Sequence, residues 1–163
     1  MTTHDVPPYV GALLETVEGK LLFQLRDNMP GIFAPGMITT FGGSVLQGED
    51  PQRAALRELK EELELELPIR DVCLWGEYAH RHEPFGIIHH HYIFHAREIV
   101  RASLVLKEGQ AIIELARTDD REKFPFVPLV LLLLEEFCGN SENAARLARQ
   151  SGFSVKRNLT EGS

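Results

Sequence analysis

With 163 residues, 44% of them hydrophobic and 25% charged, the chain has the size and make-up of one soluble domain with little room for a second. A net charge of −7 excludes non-specific nucleic-acid binding through a basic surface. A small anionic ligand stays admissible where a cation neutralises the site.

Residues 1–8 read as a flexible lead-in, without the basic and apolar blocks of a signal peptide. Tyr9 to Asp27 holds two apolar runs separated by Glu18-Gly19, which predicts a hairpin. Asn28 to Met37 carries two prolines and two glycines, so an ordered loop is expected. Ile38 to Leu46 reads as a strand broken by Gly42-Gly43. Asp50-Pro51 is a helix start, a capping side chain followed by proline at the first helical position; the helix should run through Glu62 or a little beyond. Strands follow over 71–80, 86–99 and 111–116. Trp75, Tyr78, Phe85 and Tyr92 read as core. Pro128 opens a buried helix to Cys138, whose apolar run is far below the roughly 20 residues of a membrane span. Ser141 caps a short helix over 142–150, and the polar tail frays. Cys73 and Cys138 have no metal-ligand spacing and read as reduced thiols of a cytoplasmic protein. The expected organisation is a lead-in (1–8), a domain (9–139) and a C-terminal helix with polar tail (140–163). The fold class is α+β, a mixed sheet flanked by helices.

The stretch RELKEELELEL, residues 57–67, holds five glutamates. At about 100° per residue, Glu58, Glu61 and Glu62 share an arc of roughly 100°, while Ala55, Leu56, Leu59 and Leu63 occupy the adjacent, core-facing arc. Like charges at these spacings repel by a few tenths of a kcal/mol per pair, roughly, and they oppose the helix dipole. A hard divalent cation reverses that balance. On the helix alone, a solvated acidic face is the better reading.

What precedes the helix changes this. Gly43 is followed by five residues and Glu49, then seven residues and Arg57-Glu58-Leu59, then Lys60 and Glu61-Glu62. GGSVLQGEDPQRAALRELKEELEL resembles the Nudix box, G-x5-E-x7-R-E-U-x-E-E-x-G-U with U apolar. Residues 43–65 match it except at the second glycine, where Glu64 stands. The likeness extends more weakly over about residues 8–138. It implies a Nudix-type α/β/α sandwich and hydrolysis of a nucleoside diphosphate linked to another moiety, with Mg²⁺ or Mn²⁺ as cofactor. Several carboxylates on one helix face suit that chemistry, since metal ions clamp phosphate oxygens and activate water.

Carried over residue by residue, Glu58, Glu61 and Glu62 are the expected metal ligands, and Arg57 orients a box carboxylate. Glu49 is implied as the partner of Arg57. Gly42 and Gly43 let the backbone approach the metal and substrate. Glu108, in the loop-like KEGQ, is a candidate outlying metal ligand or general base, and Arg26 a candidate contact to substrate phosphate. His89, His91 and His95 share one strand face and read as exposed or as the rim of a substrate pocket, rather than a transition-metal site. Nucleoside triphosphates are the leading substrates; a nucleotide-sugar or dinucleotide hydrolase and a non-catalytic ligand-sensing Nudix domain are the alternatives. The intact Arg57, Glu58, Glu61 and Glu62 disfavour the sensor. The expected partner is a nucleotide-type small molecule, with neither nucleic acid nor membrane. Many family members are dimers, which makes a homodimer the assembly to test. Glu64 leaves two ways to end the helix: a strained left-handed residue, or continuation toward Pro68.

Overall fold

The computed structural model describes residues 6–82 and 86–158; Phe85 and the ends of the lead-in and tail lie outside them. The first two apolar runs form the hairpin of β1 (Tyr9–Thr16) and β2 (Leu21–Leu25), with Leu14 opposite Leu22. Its turn is closed by Gly19 N donating to Thr16 O at 2.9 Å. Gly19 stands at φ +80°, open to glycine without steric cost. Next come β3 (Ile38–Thr39) and β4 (Phe41–Ser44). The break between them falls at Thr40 rather than at the paired glycines, because β3 pairs with β2 while β4 crosses to pair with β1.

Helix α1 (Pro51–Leu63) begins where the sequence places it, the Asp50 carboxylate accepting from the N–H groups of Gln52 and Arg53 at 3.0 and 3.2 Å. It ends at Glu64 in the left-handed region, φ 52° and ψ 28°. Glu64 N donates to Lys60 O and Leu65 N to Leu59 O at 3.1 and 3.3 Å, so backbone bonds hold the cap. The first of the two helix endings is the one observed.

The remaining elements are β5 (Val72–His82), β6 (Ile87–Ile99), β7 (Ala111–Leu115), α2 (Pro128–Phe137), α3 (Ser141–Ser151) and β8 (Phe153–Arg157). The sheet order is β3-β2-β1-β6-β5-β8, with β4 on β1 and β7 on β2. β1 and β6 run parallel and the other pairs antiparallel, which makes the sheet mixed. Alternate side chains divide between two cores. Val10, Ala12, Leu14, Leu22 and Phe94 pack with Ala54, Ala55, Leu59 and Leu63 of α1. Leu13, Leu21, Phe23 and Ile93 pack with Leu129, Val130, Leu132 and Leu133 of α2 and Ala144 of α3. The result is an α/β/α sandwich. None of the described helices is long and apolar enough to cross a membrane.

Three local expectations are corrected. The segment directly after α3 does not fray: β8 pairs antiparallel with β5, from His80 opposite Phe153 to Gly76 opposite Arg157. A knot around Glu136 of α2 fixes it, taking Trp75 Nε1 at 3.1 Å, the Tyr78 hydroxyl, and Arg157 Nη1 at 3.0 Å. Asn140, not Ser141, occupies the cap position of α3, and it makes no side-chain cap bond. His91 and His95 are not exposed. His95 Nε2 meets Glu15 Oε2 at 2.9 Å, and the His91 ring packs on Tyr9 and Phe153. Both cysteines are free, Cys73 exposed and Cys138 partly buried.

Candidate active site

The apolar face of α1 rotates its acidic face toward β4 and the edge of the sheet. Glu62 is the glutamate this buries, at 2% exposure. Its Oε2 accepts from Gly42 N at 2.8 Å, one charge-assisted bond for a carboxylate otherwise cut off from water. Burial therefore pushes its pKa up to about 8, against the opposing Gly42 bond, and the nearby Glu108 and Glu58 carboxylates push the same way. Glu58 lies over Gly43, so closely that a Cβ there would stand 2.4 Å from Glu58 Oε1. Burial raises its pKa too, although the Arg57 hydrogen bond pulls it down.

Arg57 is the hub. Nε and Nη2 grip the two oxygens of Glu49 at 2.8 and 2.9 Å, a bidentate fork. Nη1 reaches Glu58 Oε1 at 2.7 Å and Glu61 Oε2 at 3.4 Å, and Nη2 also donates to Ser44 O at 3.0 Å. Glu49 Oε2 further accepts from Leu46 N at 2.9 Å. These bonds, Arg57 first, lower the Glu49 pKa to about 2. Glu49 and Arg57 thus clip the loop after β4 to the first turns of α1.

Two distant residues join the cluster. Lys107 N donates to the Glu62 carbonyl at 2.8 Å, and Gln24 Nε2 to the Glu108 carbonyl at 3.0 Å. This pins the loop that carries Glu108 to the end of α1 and to β2. Arg26 follows β2, and it shares with Gln24, Met29, Ile32 and Glu108 a small cavity of about 70 Å³. Its Nε is buried without a hydrogen-bond partner. Glu61 stands apart, its side chain 59% exposed.

The donor set fits a hard divalent cation, since Glu58, Glu61, Glu62 and Glu108 offer only carboxylate oxygens, and burial raises the pKa of Glu58 and, more strongly, of Glu62. The side chains are not preassembled: among the described residues no three acidic, imidazole or thiol groups already form a metal-binding set. Repulsion explains this, for Glu58 turns to Arg57 and Glu62 to Gly42 N.

A family model described as the NUDIX domain matches residues 5–142. The chain belongs to the Nudix family. As a Nudix hydrolase it is an enzyme acting on diphosphate bonds. It is 30% identical over 130 residues to the CTP pyrophosphohydrolase of Escherichia coli (strain K12), covering 78% of this chain and 88% of that protein. The solution structure of the E. coli ORF135 protein superposes with a TM-score of 0.61 at 28% identity, over 90% of this chain and 96% of that one. The crystal structure of a MutT protein from Methanosarcina mazei Go1 gives 0.63 at 19% identity, over 84% and 94%, and shares the fold.

Two residues near the Nudix site carried no motif. Gln24 is 1% exposed within the apolar LLFQL, and a lone amide in such a strand is the signal that marks it. Tyr9, which opens β1, directs its hydroxyl to Thr40 O at 3.4 Å, and nothing local in the sequence announces that.

Proposed function

We propose that this Nudix protein uses Mg²⁺ or Mn²⁺ to hydrolyse a nucleoside triphosphate to the monophosphate and pyrophosphate. The observation that carries the reading is the buried carboxylate of Glu62 and the partly buried one of Glu58, set against Gly42 and Gly43 backbone with Arg57 alongside. Burying them costs stability unless a cation and its phosphate ligand complete the site. Glu58, Glu61, Glu62 and Glu108 would hold the metal, which supplies charge neutralisation on phosphate oxygens and a more acidic water. Glu49 fixes the Arg57 fork, and Arg57 orients Glu58. Gly42 N holds Glu62, while the glycines keep the approach free of side chains. Arg26, at the cavity beside Glu108, offers its guanidinium to a phosphate oxygen.

CTP is the first substrate to test, because the 30%-identical relative is a CTP pyrophosphohydrolase. The experiment incubates the chain with Mg²⁺ or Mn²⁺ and a panel of nucleoside triphosphates, nucleotide sugars and dinucleotides, and measures nucleoside monophosphate and pyrophosphate. Turnover that EDTA abolishes is the expected result. Turnover of nucleotide sugars or dinucleotides alone would replace the triphosphate assignment, and binding with no turnover of any compound would favour a ligand sensor. The proposed setting is the cytoplasm, and sedimentation tests the proposed homodimer.

A further inference from the structure

The segment Lys107–Gln110 bridges the end of α1 and the strand that leads into Arg26. Lys107 N donates to the Glu62 carbonyl at 2.8 Å, and Gln110 N to the Leu25 carbonyl at 2.8 Å. Gln110 Nε2 donates to the Arg26 carbonyl at 2.7 Å. Between these bonds, Gln24 Nε2 donates to the Glu108 carbonyl at 3.0 Å. Gly109 stands at φ +89°, where a Cβ would lie 2.8 Å from Leu25 O and 2.9 Å from Gln24 Cγ. Glycine there is what lets the loop press onto the Gln24 side chain.

The two backbone bonds and the Gln110 amide already dock this loop. Gln24 adds a tie that carries a cost. It is 1% exposed in the apolar run LLFQL, where leucine would gain burial energy that an amide forfeits. Its amide grips the one residue of the loop that bears a carboxylate, and its side chain lines the same cavity as Arg26 and Glu108. Glu108 is exposed, and its charge lies near enough to Glu58 and Glu62 to raise their pKa values further. Repulsion among these carboxylates would swing an untethered Glu108 outward whenever no cation is bound.

We propose that Gln24 is a positioning residue of the hydrolase: it tethers the Glu108 loop against that repulsion and keeps the Glu108 carboxylate at the α1 carboxylates before the cation arrives. The proposal rests on the hydrolase reading above, in which Glu108 joins Glu58, Glu61 and Glu62 around the metal. Gln24 is not itself a ligand. It acts through the main chain of Glu108, as an outer partner that orients a ligand. The tether also fixes a spacing. Because Gln110 holds the Arg26 carbonyl, the same loop sets the metal carboxylates and the Arg26 guanidinium relative to one another. A displacement of about 1 Å in such an arrangement lowers the rate by roughly 100-fold.

The test is a double-mutant cycle of Gln24→Met and Glu108→Gln in the full chain, read as Mn²⁺ affinity by electron paramagnetic resonance without substrate. Methionine keeps the length and apolar bulk of the side chain and loses the donor. Alone, Gln24→Met should weaken Mn²⁺ binding by about tenfold; in the Glu108→Gln background it should change affinity by less than about twofold. Amide exchange in EDTA should quicken by roughly tenfold at Lys107 and Gln110 and stay unchanged in β1. On the substrate that the panel identifies, kcat should fall by about 10- to 100-fold while KM moves by less than about threefold. If Gln24→Met melts early, Gln110→Ala, at an exposed residue, loosens the same loop and takes its place in the cycle. Unchanged Mn²⁺ affinity would overturn the proposal. So would an equal loss in both backgrounds, or exchange that quickens throughout the sheet, each the mark of a merely structural role. Normal turnover with unchanged Mn²⁺ affinity would sink the tether alone, whereas no turnover on the whole panel would sink the hydrolase reading with it.

Discussion

Replacing Glu62 by Gln should make the metal-free protein more stable, and by an amount that depends on pH. In the folded chain Glu62 keeps its proton to about pH 8, chiefly because it is buried; its ordinary value is 4.5. Between those values the folded state binds more protons than the unfolded one, so stability falls as pH rises through that window and levels off above it. At roughly 1.4 kcal/mol per pH unit the full penalty approaches about 5 kcal/mol. Glutamine keeps an oxygen to accept from Gly42 N, but its buried amide protons need a partner, at a cost of about 1–3 kcal/mol. The net gain at pH 9 is therefore about 2–4 kcal/mol, or roughly 10 °C in melting temperature. The assay is thermal melting of wild type and Glu62→Gln in EDTA from pH 5 to 9, repeated with Mg²⁺. At pH 5 the gap should close or reverse by up to about 2 kcal/mol, and above pH 7 it should open in favour of the variant. Magnesium should stabilise the wild type preferentially and close the gap again. A variant less stable than wild type at pH 9 in EDTA, or a gap independent of pH, would refute the reasoning.

Arg57→Lys keeps the charge but loses the fork on Glu49, so kcat/KM should fall by about 100-fold with little change in melting; a loss under fivefold would contradict the positioning role. Gly43→Ala would place a Cβ 2.4 Å from Glu58 Oε1, and should lower activity by roughly 10- to 100-fold in a protein that still unfolds cooperatively. Gly42→Ala is a backbone matter, with its Cβ 1.9 Å from Val10 O at φ +151°, and denaturant unfolding should show a loss of more than about 3 kcal/mol. Glu64→Gly relieves the left-handed residue at φ 52° and should stabilise the chain by about 0.5–1 kcal/mol, even though the exposed Lys107 pair is lost. Activity there should be unchanged.

How far the sequence carries depends on whether the deciding interaction is local. The start of α1 was legible because Asp50 and Pro51 act within one turn, and the hairpin because Glu18-Gly19 lies between two apolar runs. The end of α1 was not, since Glu64 adopts a conformation that glycine would take more cheaply and is held by Leu59 and Lys60 carbonyls. β8 was missed for a different reason. FSVKR alternates apolar and polar residues, a weak strand signal, but what fixes it is an edge of β5 about 75 residues earlier and the carboxylate of Glu136. Propensity does not encode such partners.

The site divides along the same line. The stripe of Glu58, Glu61 and Glu62 follows from helix geometry, yet periodicity treats the three alike and the fold does not. Glu62 is buried and bonded to Gly42, Glu58 is pressed on Gly43, and Glu61 stays largely in water. That ranking comes from β4, which crosses beneath one side of the helix, and no spacing within residues 57–67 contains it. Glu108 and Arg26 reach the same place only because Lys107 and Gln24 tie two distant segments to the end of α1. The unequal burial has a chemical consequence. A carboxylate that resists ionisation until a cation arrives couples metal binding to proton release. A largely exposed one such as Glu61 can complete a coordination shell without that cost. A metal-binding titration in weak buffer near pH 7 should therefore release protons on Mg²⁺ addition to the wild type and fewer to Glu62→Gln, and equal release from both would remove Glu62 from the site.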